Sequence, residues 1–121
     1  MAEGTKFDTD KLRVELLPVT GLLLQADVYT RGAKKYDDNN WRKGIKWTRI
    51  LGAMMRHLLW YMAGETYDPE DGQHHLASLA WGANTLMEYE FTHKELDDRY
   101  IAVEPGILRQ MINNMKKSKD K

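Results

Sequence analysis

The sequence contains no cysteine, and that single absence removes disulfide frameworks, thiolate zinc sites and thiol nucleophiles. A chain without thiol chemistry is expected in the cytoplasm. Net charge is missing too, since 18 basic residues face 18 acidic ones. Sequence-blind binding to a nucleic-acid polymer needs a strongly basic surface, so a small anionic ligand fits this balance better. No apolar run approaches the roughly 20 residues that cross a bilayer. Met1 to Asp10 alternates charged and small residues without the hydrophobic stretch of a signal peptide, so no membrane partner is expected. Repeats, low-complexity blocks and convincing strand patterns are also lacking.

What remains is a 121-residue chain, large enough for one core and too small for two. It reads as a single all-α domain, a bundle of about four helices, with an extended arm over 1–17, a core over about 18–103 and a terminal helix with a basic tail over 104–121. In the arm, Leu12, Val14, Leu16 and Leu17 can dock while the charges between them face outward. Behind Pro18 a first helix runs from about Val19 to Thr30, with Gly32 placed to close it. A second runs from Trp47 or Thr48 to Ala63, with Thr48 as a cap and Gly64 as the stop. After the turn at Asp68 to Gly72, a third covers about Gln73 to Thr92, with Leu76, Leu79, Ala80, Ala83, Leu86 and Met87 as its apolar stripe. The last begins near Pro105 and frays through Lys116 to Lys121.

The chain's charge is local. From Arg31 to Arg49, seven basic residues stand against only Asp37 and Asp38. Within this glycine-bounded crook Lys34, Lys35 and nearby backbone amides attract phosphate oxygens, while Tyr36 and Trp41 offer flat faces on which a base stacks. A solvated surface loop is the plainer explanation for such a charge run; the interleaved aromatics favour a ligand.

A second group of polar residues brackets the hairpin of the second and third helices: His57, Glu65, Asp68, Glu70, Asp71, His74, His75 and Asn84. If the two helices run antiparallel, Glu65, Asp68, Asp71 and His75 gather at one mouth, with His57 and Asn84 about two turns deeper. Carboxylates, an amide oxygen and imidazoles make a mixed oxygen and nitrogen shell, suited to Mg²⁺ or Mn²⁺ and open to zinc. Taken singly, the acids serve as turn formers, the histidines as hydrogen-bonded core residues and Asn84 as a helix clamp.

The apolar content exceeds what one small bundle needs. The second helix is greasy around most of its circumference, and Trp81 falls on the polar side of the third, where it calls for cover by a subunit or a ligand. A homodimer or homotetramer is therefore expected.

The residues Lys6-Phe7-Asp8, Lys11, Arg13, Leu16-Leu17-Pro18, Gly32 to Tyr36, Asn40-Trp41, Trp47, Arg56-His57-Leu58, Gly64-Glu65, Asp68-Pro69, Gly72, His75-Leu76-Ala77 and Asn84 together resemble the phage-associated dATP/dGTP diphosphohydrolase N-terminal domain family. That family is similar to the all-α (MazG-like) nucleoside triphosphate pyrophosphohydrolases, and the resemblance covers about Lys6 to Glu90. It implies a bacteriophage protein acting in the host cytoplasm, a helical oligomer that uses Mg²⁺ or Mn²⁺ to cut purine deoxynucleoside triphosphates into monophosphate and pyrophosphate. On that reading Lys11, Arg13, Lys34, Lys35, Tyr36, Asn40, Trp41 and Arg56 hold substrate. Glu65, Asp68, His75 and Asn84 hold metal, and His57 and Glu65 serve the attacking water. The wider group carries Glu-x-x-Glu on one helix and Glu-x-x-Asp on the next; here only Glu65-x-x-Asp68 has that spacing. The alternative is therefore a non-catalytic phage nucleotide-binding protein, a sponge that sequesters a nucleotide signal of host defence.

Overall fold

In a computed structural model that describes residues 3–100 and 103–119, the chain forms four α-helices. Helix α1 (Val19–Lys35) begins behind Pro18 and runs five residues past the expected Thr30. Gly32 does not stop it: an interior glycine costs only about 1 kcal/mol against alanine. Lys34 and Lys35 occupy its last turn, where cations complement the partial negative charge of a helix C-terminus. The basic crook is therefore half helix. Its remainder turns through Asn39, at a left-handed φ of 60°, into a 3-10 turn at Asn40–Lys43. Gly44 follows with φ 104°, where a Cβ would collide with His93 and Leu96.

Helix α2 (Trp47–Met62) is not capped by its own Thr48. The carboxylate of Asp98 accepts from the Thr48 backbone N–H at 2.9 Å and from Thr48 Oγ1 at 2.7 Å, a cap supplied from fifty residues away. Those two bonds hold the Asp98 carboxyl below its usual range. At the other end Gly64 (φ 103°) closes α2: Gly64 N–H donates to Tyr61 O and Glu65 N–H to Trp60 O, each at 3.0 Å. This paired closure is the left-handed glycine stop that sequence reasoning assigns to the position.

Helix α3 (His75–Thr92) packs against α2 on one flank and α1 on another. Its buried line is His75, Ser78, Gly82, Thr85 and Tyr89, alternating spacings of three and four that mark one face of a helix. Of the stripe expected from hydrophobicity, Leu86 packs against the core, but the rest does not form the buried line. Leu76, Leu79, Ala80 and Ala83 are only half-buried, and Met87 is exposed. The inward line is polar because each polar group on it finds a partner. Tyr29 Oη and Thr85 Oγ1 share a hydrogen bond of 3.1 Å, Tyr89 Oη donates to the Trp41 carbonyl, and no described side-chain polar atom is buried without a partner. Gly82 permits the close approach, since a Cβ there would strike Met54 of α2.

The core is small. Trp47, Ile50 and Tyr89 form its centre, surrounded by Trp41, Ile45, Met54, Trp81, Leu86 and Leu96, and burying a side chain such as Ile50 contributes about 2 kcal/mol. Trp81 is partly covered within the chain by Tyr29 of α1, with ring centroids 6.1 Å apart, and remains half-buried. The arm does not dock: Leu12, Val14, Leu16 and Leu17 are all exposed. Every described side chain of α4 (Pro105–Lys119) is exposed as well. Asp120 and Lys121, the end of the expected basic tail, lie outside the described residues. No described helix is long and apolar enough to cross a membrane, and among the described residues the one β contact is an isolated antiparallel bridge between Tyr67 and His74.

Candidate functional site

The segment joining α2 to α3 folds back on itself. Asp68 N–H donates to Gln73 O at 2.8 Å and His75 N–H to Thr66 O at 3.0 Å. The Asp68 carboxylate accepts from Glu70 N–H at 2.9 Å, and Asp71 does the same for Gln73 N–H at 2.9 Å. These local bonds are the turn chemistry expected of aspartate, and they draw buried Asp68 toward the imidazoles of the helices. His74 rather than an acid caps α3, its Nδ1 accepting from Leu76 N–H at 3.1 Å.

His75, with no solvent exposure, sits at the first position of α3 and is held from both ends of its ring. Its Nε2 lies 2.7 Å from Glu65 Oε1, and its Nδ1 lies 2.9 Å from His57 Nδ1. An ionised carboxylate only accepts, so His75 Nε2 carries the proton, its Nδ1 presents a lone pair, and His57 Nδ1–H donates to it. Trp60 closes over both rings, at centroid distances of 5.6 Å from His57 and 5.3 Å from His75.

His57, Asp68 and His75 place one ligand atom each within 4.8 Å of one another. Two ring nitrogens 2.9 Å apart have the separation of neighbouring ligands around an ion with bonds of roughly 2.1 Å; an ion there would replace the shared hydrogen, with His57 carrying its proton on Nε2 instead. Two imidazoles and one carboxylate suit Mn²⁺ and other borderline ions better than Mg²⁺, which favours oxygen ligands and retained water. Glu65, on the far nitrogen of His75, stands where a carboxylate orients a metal-binding histidine rather than where it ligates.

Burial holds the His57 pKa below the usual 6.5, and the neighbouring His75 adds to the effect; Asp68 and Asp71 oppose it, and Arg56 weakly supports it. A group whose folded pKa lies below its unfolded value contributes full stability above about pH 6.5 and loses it as pH falls through that value toward the folded pKa. The wild type is therefore expected to lose more thermal stability than His57→Gln between pH 7 and pH 5, as followed by circular dichroism melts. Equal losses in the two proteins would remove His57 as the source.

A concavity of about 1270 Å³ runs from this cluster to the basic crook between α1, α2 and α3. His57 belongs to both the cluster and the lining. Lys35, Arg49 and Arg56 bring positive charge, Tyr29 and Trp81 line it with rings, and Asp71 and Gln73 form part of its wall. Of the residues expected to hold substrate, Lys35, Tyr36, Asn40, Trp41 and Arg56 line this space. Lys34 is exposed outside it, as are Lys11 and Arg13 of the arm, the latter paired with Glu15 at 2.7 Å. The Trp41 ring is already occupied by the protein: the Arg42 guanidinium lies 4.3 Å from its centroid, and it packs against Tyr29 and Tyr89. Tyr36, 57% exposed, keeps more of its ring available. Asn84 does not join the metal cluster. Nine residues beyond His75 it falls about half a turn around α3, and it is exposed.

Sequence reasoning passed over Arg49 and Tyr29 as lining residues, whereas Trp81, for which it expected cover by a subunit or a ligand, does line the space. The seven-residue step from Arg49 to Arg56, which keeps both on one flank of α2, was the signal for the first.

The chain is thus an all-α protein with imidazoles and acids at the mouth of one hairpin, beside a hollow that Lys35, Arg49 and Arg56 help to line. Residues 1–99 match the family described as dATP/dGTP diphosphohydrolase, N-terminal, and the chain belongs to that family. It is 33% identical over 108 residues to a protein of Salmonella phage PMBT28 named dATP/dGTP diphosphohydrolase, a match covering 88% of this chain and 37% of the relative. The chain thus spans little more than a third of that relative's length. No solved structure matches it.

Proposed function

We propose that the concavity binds a purine deoxynucleoside triphosphate of the dATP or dGTP type, and that the chain hydrolyses it to monophosphate and pyrophosphate with a divalent ion, Mn²⁺ in preference to Mg²⁺. One observation carries the reading: His57 is shared between the three-residue cluster and the lining of a hollow that also presents Lys35, Arg49 and Arg56. A triphosphate laid along those cations would bring its phosphates to the imidazoles.

His57, Asp68 and His75 would hold the ion, which supplies Lewis acidity toward phosphate oxygens and acidifies water. Glu65 fixes the tautomer of His75 through Oε1, and its other oxygen is available to take the proton of the attacking water. Lys35, Arg49 and Arg56 neutralise charge that builds on the phosphates. The tyrosine and tryptophan rings give the base an apolar bed, while Trp60 and the buried Asp68 limit water around the imidazoles.

A non-catalytic nucleotide-binding protein, the sponge reading, gains from the single carboxylate in the cluster, where the wider pyrophosphohydrolase group uses paired acids. Incubation with dATP or dGTP and Mn²⁺, followed by ion-exchange separation, decides between the two. Monophosphate and pyrophosphate in equal amounts, with Mg²⁺ slower, is the expected result. Intact triphosphate recovered in a stable complex would replace hydrolysis by sequestration.

A further inference from the structure

Among the described residues, two side-chain hydrogen bonds join α1 to the rest of the chain. Tyr29 Oη shares one with Thr85 of α3. Arg31 makes the other: its Nη1 donates to the carbonyl of Asp71, in the connection between α2 and α3. The same guanidinium is anchored on its own helix, where Nε donates to the Asp27 carboxylate at 3.2 Å, one turn back. That pairing exists because α1 continues past Thr30, since residues four apart share a face only while the helix lasts. A planar guanidinium meets both acceptors at once from a fixed fork; a lysine ammonium on its flexible stem does not.

Arg31 grips a turn with little freedom of its own. Gly72 N–H donates to Asp68 O at 2.7 Å, Asp68 N–H donates to Gln73 O at 2.8 Å, and the Asp71 carboxylate accepts from Gln73 N–H at 2.9 Å. A pull on Asp71 is therefore felt at Asp68. Gly72 lies against the guanidinium, where a Cβ would stand 3.8 Å from Arg31 Nη1. Of the three residues in the cluster, His57 and His75 belong to α2 and α3, whose packing against each other fixes them. Asp68 is the only one carried by the connection, so its place depends on how that connection is held.

We propose that Arg31 is a positioning residue: it clamps the Asp68 turn to α1 and so sets the one carboxylate of the cluster against the two imidazoles before any ligand arrives. The inference rests on the reading of His57, Asp68 and His75 as an ion site. Arg31 also lines the concavity, so its rival role is a direct contact to phosphate. The two roles differ in what they need. A phosphate contact needs only positive charge near the ligand, whereas the clamp needs the fork and its anchor on Asp27, which lies outside the lining.

The test is Mn²⁺ titration of the full chain without nucleotide, followed by loss of the free-ion paramagnetic resonance signal, for wild type, Arg31→Ala, Arg31→Lys and Asp27→Ala. Arg31→Ala is expected to bind the ion about tenfold more weakly than wild type, the lower end of what removing a ligand's supporting partner costs. Arg31→Lys should keep most of that defect, and Asp27→Ala should show a smaller one in the same direction. The Arg31 side chain is 44% exposed, so the fold should survive, as circular dichroism melts check; if Arg31→Ala loses helicity, the other two variants carry the comparison. Product assays add a second readout: the Arg31→Ala defect should fade as Mn²⁺ saturates, with KM for the triphosphate near the wild-type value. Unchanged Mn²⁺ affinity, with a raised KM that persists at saturating ion and is rescued by lysine, would make Arg31 a phosphate contact and overturn the clamp. Equal Mn²⁺ affinity in wild type and all variants would overturn the clamp and leave the ion site standing. No Mn²⁺ binding by wild type would overturn the ion site, and the clamp with it.

Discussion

His75→Ala is expected to reduce nucleotide hydrolysis to background and to lower the melting temperature by roughly 10 °C. The ring has no solvent exposure and bonds Glu65 at one nitrogen and His57 at the other. Its removal opens a hole and strips both neighbours of their partner, a loss of about 2–3 kcal/mol, equivalent to roughly 4 °C for each kcal/mol in a domain of this size. Glu65→Gln separates the two consequences. Glutamine can still meet the His75 ring, so the melt should move little, while loss of the carboxylate should cost about 100-fold in turnover. Calorimetry and product assays on the same preparations read both. Undiminished turnover in His75→Ala would mean that the chemistry occurs elsewhere.

The double variant Arg49→Ala/Arg56→Ala is expected to weaken triphosphate binding by about 100-fold while leaving the melting temperature nearly unchanged. Each guanidinium faces the concavity from one flank of α2, and both side chains are exposed, so truncation should shift stability by less than about 0.5 kcal/mol. A charge-assisted bond to a phosphate oxygen contributes about 1.5–3 kcal/mol, or roughly tenfold or more in affinity for each arginine. Lys34→Ala, exposed outside the lining, is the matched control and should bind normally. Titration calorimetry with a non-hydrolysable triphosphate gives the comparison. Parity between the double variant and wild type would remove these arginines from the ligand site.

The sequence was most readable where local chemistry decides the outcome. Gly64 ends α2, Pro105 opens α4, and aspartates build the turn between α2 and α3, because left-handed backbone, a fixed φ and side-chain acceptors are properties of single residues. The hairpin also brought His57, Glu65, Asp68 and His75 together, since they flank one short connection. Longer-range packing was less readable. On α3 hydrophobicity pointed to Leu76, Leu79 and Ala83, yet the inward line runs through His75, Ser78, Gly82, Thr85 and Tyr89. Hydroxyls and imidazoles turn inward when partners await them on α1, α2 and the crook, and those partners are invisible along the chain. Asn84 was put with the ligands from its depth along the antiparallel hairpin alone, which fixes the distance along α3 but not the side of the helix it occupies. Thr48 looked like its own cap because the carboxylate that does the work, Asp98, lies half the chain away. Arm residues Lys11 and Arg13 could be matched by motif but not brought to the concavity, whose lining does not include them.

The bond between Thr48 and Asp98 closes the chain into a ring. The proposed metal and proton-handling residues, from His57 through Glu65 and Asp68 to His75, are strung between those two clasped positions. Fraying at residues 97–99, more than twenty residues beyond His75 in sequence, would loosen the start of the very helix that presents His57. The minimal autonomous unit therefore extends through the clasp, and a shortened version ending before Asp98 would keep the reactive side chains yet lose the buckle that holds their scaffold taut.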